Sequence, residues 1–364
     1  MKARIAVLPG DGVGPEVIGE AVRALHAVAK RFGHAFELVE APVGAAAMDR
    51  GLGPLPEATL GLARESDAVL FGAIGSPRYS DPRAQERPEQ AILTLRAELG
   101  LFANLRPVAP LAPLRHASPI REERLEGVDF LIVRELTGGI YFGRRERGGD
   151  FASDECRYTA AEVERIARVA FRAARGRRSK VTSVDKANVL ETSRLWREVV
   201  TAVGRDEFPD VSLEHQLVDS AAMLLLTRPA DFDVIVTENL FGDILSDQAA
   251  SLAGSIGMLP SATVGGRVDL YEPVHGSAPD IAGTGRANPF GAIASAAMLL
   301  RHTAGLIREA DLIDSAIRGV LDMGLRPPDL ATRGLRPSNT VEIGDAVVTG
   351  LAELIDHQHA YHAV

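Results

Sequence analysis

The sequence predicts an α/β protein of two domains, and three observations predict it. Short apolar runs alternate with segments of helical period along most of the chain. The stretch Ala103–Phe151 breaks that rhythm with Pro107, Pro110, Pro113 and Pro119, followed by Gly138, Gly139, Gly148 and Gly149. The length of 364 residues suits about two domains at ~150 residues each.

The elements follow in order. Ile5–Leu8 reads as a buried strand, and Pro15 stands where a helix begins. Val17, Ile18, Ala21, Val22, Leu25, Val28, Ala29 and Phe32 then recur at helical spacing. Phe36–Val39 and Ala68–Ala73 read as strands with a helix separating them. Leu131–Arg134, Lys180–Val184 and Val234–Thr237 continue the strand series. Helices are expected over Ala160–Arg175, Arg194–Val203, Asp219–Thr227 and Pro289–His302. Strands that alternate with helices pair largely in parallel. The proline- and glycine-rich stretch predicts a second domain with antiparallel pieces. The final His357-Gln358-His359-Ala360-Tyr361-His362 reads as a solvated tail.

Composition narrows the partners. A formal net charge of -9 gives no reason to expect nucleic acid or an anionic membrane surface. Cys156 is the only cysteine, so no intramolecular disulfide forms and a reducing compartment is expected. Met1-Lys2-Ala3-Arg4 runs straight into a strand, without the apolar segment of a signal peptide. The apolar run Gly291–Leu300 is too short to span a bilayer. The expectation is a cytoplasmic protein that acts on a small molecule.

Five segments carry chemistry, each with a plainer reading beside it. Gly10-Asp11-Gly12-Val13-Gly14-Pro15 imitates a dinucleotide fingerprint, but Pro15 stands where the third glycine belongs. A tight strand-to-helix turn accounts for most of these glycines. Asp243 and Asp247 are four apart, so on a helix they share a face about 5–6 Å apart at Cβ. Their mutual repulsion is relieved by a hard cation, Mg²⁺ or Mn²⁺, that prefers oxygen ligands. The plainer reading is a helix start that favours acids. Arg96, Arg106 and Arg134 each adjoin apolar stretches, where a guanidinium needs a carboxylate partner from a substrate or from the protein itself. Lys186, in Val184-Asp185-Lys186-Ala187-Asn188, follows a buried strand and reads as a base or as a snorkelling lysine. Tyr271–Gly283 is a Gly-, Pro- and Ala-bearing loop whose backbone could lie close to a flat ligand, or only a loop.

Together these segments resemble the β-decarboxylating dehydrogenases, the family of the isopropylmalate and isocitrate dehydrogenases. The likeness runs over Leu8–Glu16, Arg87–Pro107, Val133–Gly143, Ser183–Glu198, Val234–Pro260 and Tyr271–Pro289. It implies a fold of two α/β domains around a shared mixed sheet, distinct from a Rossmann fold. Residues 1–101 plus 254–364 would form the cofactor-binding domain, and 102–253 the substrate, metal and dimerisation domain. It implies NAD as cofactor, Mg²⁺ or Mn²⁺ as metal, and a homodimer whose subunits share active sites.

Residue by residue, the resemblance makes Arg96, Arg106 and Arg134 the clamp for the substrate carboxylates. Asp219, Asp243 and Asp247 become metal ligands, with Asp219 also at the substrate. Lys186 takes the hydroxyl proton, and Tyr141, in Gly139-Ile140-Tyr141-Phe142-Gly143, returns a proton to carbon after CO₂ leaves, its phenol tuned by a neighbouring lysine. Lys186, Val189 and Asp219 come from the neighbouring subunit. His275, Gly276, Ser277, Ala278, Asp280 and Asn288 fall at the cofactor, and Asp280 at the adenosine ribose favours NAD over NADP.

The substrate implied is 3-isopropylmalate, in leucine biosynthesis. On one helix, Glu89, Leu93 and Arg96 share a face with Ile92 beside them. Ile92 and Leu93 there suit an isopropyl group, and a carboxylate against them would lose hydration without a partner. Tartrate, malate or isocitrate are the alternatives. A non-catalytic regulatory subunit would lack part of the lysine, tyrosine and aspartate set, all of which is present. Ser220, Thr284 and Pro327-Pro328 depart from the common family pattern.

Overall fold

A computed structural model describes every residue except 82–83, 333, 335 and 363–364, with side chains as far as Asp356. The chain divides into two compact units, Met1–Gly100 with Leu111–Leu114 and Ser255–Val364, and Leu101–Pro110 with Arg115–Gly254.

In the first unit, strand β1 (Lys2–Gly10) leads into helix α1 (Gly14–Phe32), then β2 (Ala35–Glu40), α2 (Ala45–Met48), α3 (Glu57–Glu65), β3 (Ala68–Ala73) and α4 (Gln90–Glu98). Later come β11 (Pro260–Val264), β12 (Asp269–Pro273), α9 (Phe290–His302), α10 (Ile307–Asp322) and α11 (Thr340–His362). The strands lie in the order β2-β1-β3-β12-β11. All pairings are parallel except β11 with β12. β3 is buried along its whole length, as its unbroken apolar run requires in a sheet covered on both faces. α1 has Pro15 in its first turn and stops at Gly33, which turns to φ 70°. Val17, Ile18, Ala21, Leu25, Val28 and Ala29 are buried as the spacing predicted, while Val22 and Phe32 are half-buried and Ala24 joins the stripe.

In the second unit, β4 (Ala103–Val108) and β5 (Phe130–Glu135) pair antiparallel, as the proline-rich stretch implied. A small hairpin of β6 (Arg145–Arg147) and β7 (Ala152–Asp154) precedes α5 (Ala160–Arg175). Then follow β8 (Lys180–Asp185), α6 (Glu191–Glu207), β9 (Ser212–Leu217), α7 (Val218–Thr227), β10 (Val234–Thr237) and α8 (Asn239–Ala250). The order is β4-β5-β10-β8-β9, parallel from β5 onward. α5 opens with a reciprocal cap, in which Thr159 and Glu162 satisfy each other's backbone N–H. Ile132, Ile235, Leu225 and Leu245 belong to one buried cluster, so α7 and α8 are packed onto this sheet.

Several elements departed from the sequence expectation: α10 and β11 were not anticipated, β12 takes Tyr271–Pro273 from the segment read as a loop, and α6, β9 and α11 differ as follows. α6 extends well past Arg194–Val203 because its ends are charged and lack the apolar period. β9 has no fully buried residue, so it shows no alternation to read. α11 carries helical backbone through the segment read as a tail, whose side chains lie outside the described residues. No helix among the described residues is long and apolar enough to cross a membrane.

Candidate active site

Strand β4, the end of β5 and the face of α8 bring four of the singled-out residues together, Arg106, Arg134, Asp243 and Asp247. Asp243 and Asp247 stand four apart on α8, as their spacing predicted. Arg134, at the end of β5, donates from Nη1 to Asp243 Oδ1 in a short bond, and from Nε and Nη2 to Asn239 Oδ1 at 3.1 and 2.9 Å. Gly242 makes this crossing possible, since a Cβ there would lie 2.6 Å from Arg134 Cγ. Arg106, on β4, donates from Nη1 to Ser246 Oγ at 2.6 Å and to Asp247 Oδ1 at 3.2 Å. Each aspartate thus has its own guanidinium. The repulsion inferred from their spacing is offset within the chain before any metal is considered.

Tyr141 lies on a short 3-10 turn, Gly139–Tyr141, and its hydroxyl donates to Asp243 Oδ2 at 2.9 Å. Burial pushes its phenol pKa up, and the Asp243 hydrogen bond adds to that. Within this subunit the hydroxyl is held by that aspartate. Lys186 donates to Asp219 Oδ1 at 2.8 Å, at the start of α7, and this bond leads the causes that hold Asp219 below the usual carboxylate range. The turn after β8 is fixed by Asp185, which accepts from Ala187 N–H and from Arg197, and by Ser193, which accepts from Lys186 N–H. Val189 on that turn is 61% exposed.

These groups suit a hard divalent cation. Asp243 and Asp247 offer oxygen donors on one helix face, and each carboxylate has lone pairs beyond those given to the arginines. Among the described residues, no three His, Cys, Asp or Glu side chains gather at metal-binding spacing.

In the first unit, α4 carries Glu89 at its cap and Ile92, Leu93 and Arg96 within it. Leu93 is 48% exposed and Ile92 half-buried. Arg96 Nη2 donates to Glu272 Oε1 on β12 at 2.6 Å, while its buried Nε meets no partner among the described residues. The Gly10–Gly14 turn behaves as a tight turn. Gly12 has φ 58°, and a Cβ there would lie 1.9 Å from Ser277 O. Val13 N–H donates to the same oxygen at 2.8 Å. The turn therefore presses against the loop of His275, Gly276, Ser277 and Ala278. Asp280 is exposed at the end of that loop.

The loop also offers an orphan. His275 Nε2 is buried without a partner among the described residues, and burial lowers the pKa of that ring. An unpaired ring nitrogen beside exposed backbone fits a nucleotide. Asn288 is used differently: its Nδ2 donates to Asp329 Oδ2 at 2.9 Å and its Oδ1 accepts Phe290 N–H at the start of α9.

A model of the isocitrate/isopropylmalate dehydrogenase family matches residues 4–347. The chain is 55% identical over 356 residues to a 3-isopropylmalate dehydrogenase of Geobacillus kaustophilus, covering 96% of each. The chain belongs to the isocitrate/isopropylmalate dehydrogenase family. It is 54% identical to a 3-isopropylmalate dehydrogenase of Bacillus subtilis, over 91% of this chain and 92% of that one. Among solved structures it resembles an isocitrate dehydrogenase from Methylococcus capsulatus, with TM-score 0.84, 35% identity and coverage of 96% and 99%. It also resembles the apo form of a β-decarboxylating dehydrogenase from Thermococcus kodakarensis, with TM-score 0.80, 42% identity and 97% coverage of each.

Within this dehydrogenase fold, several polar residues escaped the sequence reading. Asp11 is buried and accepts N–H groups of Gly75, Ala45 and Ala46. Asn239 orients Arg134, and Glu272 holds Arg96. Asp11 and Asn239 stood inside motifs quoted above, so their positions were in view although their partners were not.

Proposed function

We infer that the protein is a 3-isopropylmalate dehydrogenase, which oxidises and decarboxylates 3-isopropylmalate to 4-methyl-2-oxopentanoate and CO₂ in leucine biosynthesis. The observation that carries the reading is the interlock of Arg134 and Arg106 with Asp243 and Asp247 beside Tyr141. Such alternating charge suits a dicarboxylate substrate and a divalent cation bound together. Relatives named for this activity, 51–55% identical over almost the whole chain, support the same conclusion.

NAD is the cofactor and Mg²⁺ or Mn²⁺ the metal, held by Asp243 and Asp247 of one subunit and Asp219 of a second. When bound, the nicotinamide supplies a hydride acceptor and the cation a Lewis acid at the substrate hydroxyl. Arg96, Arg106 and Arg134 orient the carboxylates. Lys186 takes the proton from the C2 hydroxyl, and Tyr141 delivers one to the carbon that has lost CO₂. The loop from His275 to Asp280 and Asn288 takes the dinucleotide. Lys186, Val189 and Asp219 serve the partner's site in a homodimer. Exposed apolar side chains on this unit, including Val189 and Ile244, the latter 57% exposed, support such a second copy.

Isocitrate is the second reading, raised by the Methylococcus likeness. α4 argues against it, because Ile92, Leu93 and Glu89 give a third carboxylate no counter-charge. The test is a panel of hydroxy acids with Mn²⁺ and either NAD or NADP, read by absorbance of reduced cofactor. Isopropylmalate should exceed malate by at least ~10-fold in kcat/KM, with isocitrate nearly inert. NAD should be preferred, since Asp280 repels a 2′-phosphate. Comparable turnover of isocitrate, a preference for tartrate, or full activity in excess chelator would overturn the reading.

A further inference from the structure

Gly138 and Gly139 lead into the turn of Tyr141, and both are pressed against Tyr158. A Cβ on Gly138 would lie 2.5 Å from Tyr158 Cε1, and one on Gly139, at φ +77°, 2.6 Å from the Tyr158 hydroxyl. The ring occupies the space that the two missing side chains leave. Trp196 meets it edge-on, with centroids 5.7 Å apart. Tyr158 is 7% exposed, and the proposed reaction makes no direct use of it.

Its hydroxyl joins three segments. It accepts Asn239 N–H at 3.1 Å and lies 3.4 Å from Glu135 Oε2 and 3.3 Å from Glu238 Oε2. Glu135, at the end of β5, also accepts the N–H groups of Thr137 and Gly138 at 2.8 Å each. Glu238 caps α8 by accepting Phe241 N–H at 2.8 Å. Arg165 stacks over Phe102, its carbon 4.4 Å from the ring centre, donates to the Thr137 hydroxyl and lies 3.7 Å from Glu135 Oε1. Asn239, which receives Arg134, is the first residue of α8. Burial raises the pKa of both the Tyr158 phenol and Glu238, so the phenol keeps its proton as a donor.

We propose that Tyr158 is a positioning residue for the acid step: its hydroxyl ties the Gly138–Gly139 turn to the start of α8, so that Tyr141, Arg134 and Asp243 keep one arrangement. The catalytic half of this proposal rests on Tyr141 as proton donor, and hence on the proposed function. The mechanical half does not. One hydroxyl carries bonds to chain segments far apart in sequence, so its removal should loosen all of them together.

The test uses the full-length protein with Tyr158→Phe, which keeps the ring and removes the hydroxyl. Amide hydrogen exchange, measured without ligands, should rise ~10-fold or more over residues 137–143 and 238–243 and stay unchanged over 160–175. Unchanged exchange in the first two segments overturns the proposal whatever the substrate. In turnover of 3-isopropylmalate, kcat should fall ~10-fold while KM for NAD stays within ~2-fold. In the Tyr141→Phe, Tyr158→Phe double variant the losses should be less than additive, because both changes act on the acid step. Additive losses overturn the catalytic half. Gly139→Ala, which drives a Cβ toward the same hydroxyl, should reproduce both signatures. If the wild-type protein does not turn over 3-isopropylmalate, the proposed function falls, while the exchange measurement still decides the mechanical role of Tyr158.

Discussion

The turn that carries Tyr141 and the loop from Val274 to Asn288 both contain glycine and both border proposed ligand sites, yet they are held in opposite ways. The tyrosine turn is gripped by buried side chains, Glu135, Glu238 and Tyr158, which bind its backbone and the cap of α8. The other loop is held mainly through main-chain groups. Val274 N–H reaches Leu259 O at 2.9 Å, Ser277 O takes Val13 N–H, and Ala278 adopts φ 36°. Side chains anchor its far end: Glu16 accepts the N–H groups of Gly283 and Gly285, Thr340 Oγ1 donates to Ala287 O, and Asn288 Nδ2 donates to Asp329. A turn gripped by side chains can aim one functional group. A loop anchored by its backbone can lie flat along a nucleotide. Removal of a gripping side chain should therefore disturb the second unit's turn, while a Cβ added at Gly12, against Ser277 O, should disturb the first unit's loop.

The largest effect expected is Lys186→Met. Loss of a general base lowers turnover by ~10²–10⁴-fold. The fold should survive, as judged by circular dichroism and thermal unfolding. A wild-type rate would break the comparison at its first premise.

Asp243→Asn comes next. Titration with Mn²⁺ should show affinity weakened ~10–100-fold, and turnover should fall with it. By the i, i+4 repulsion alone this change would stabilise the protein. Because Asp243 is the carboxylate paired with the largely buried Arg134, a loss of about 1 kcal/mol in urea unfolding is expected instead. A gain in stability would return the balance to the repulsion between the two aspartates.

Gly12→Ala tests the other side. The new Cβ meets Ser277 O, and a left-handed backbone costs an L-residue about 1–2 kcal/mol more. Destabilisation of about 2–4 kcal/mol is expected, with KM for NAD raised more than KM for the hydroxy acid. An unchanged KM for NAD would separate this loop from the cofactor.

The smallest effect concerns pH. Burial lowers the pKa of His275 below the usual imidazole value of 6.5, so the unfolded chain binds its proton first as pH falls. Its contribution is complete above about 6.5 and is lost on acidification through that value and toward the lower folded-state pKa. His275→Gln should flatten the stability slope below pH 6.5 by at most ~1.4 kcal/mol per pH unit. His215 and His302, also lowered by burial, will retain part of the slope. An identical slope in the variant would show that the His275 ring titrates alike in both states.

The sequence alone determined much of the frame and singled out the residues to which chemistry is here assigned. β3, β10 and α5 have the boundaries that periodicity gave them, because buried strands and amphipathic helices write their environment into apolar spacing. Asp243 and Asp247 were visible as an i, i+4 pair, and Lys186 and Tyr141 stood inside matched motifs. Only the tertiary structure decided what those groups touch. Arg134 meets Asp243 across 109 positions, and Asn239 meets the Tyr158 hydroxyl across 81. Nothing in Cys156-Arg157-Tyr158 marks that tyrosine, since a phenol becomes an anchor only when distant chain segments bring their N–H groups and carboxylates to it. Local spacing records which face is buried. The pairing of buried polar atoms depends on which strands become neighbours, and a periodic pattern carries no record of that.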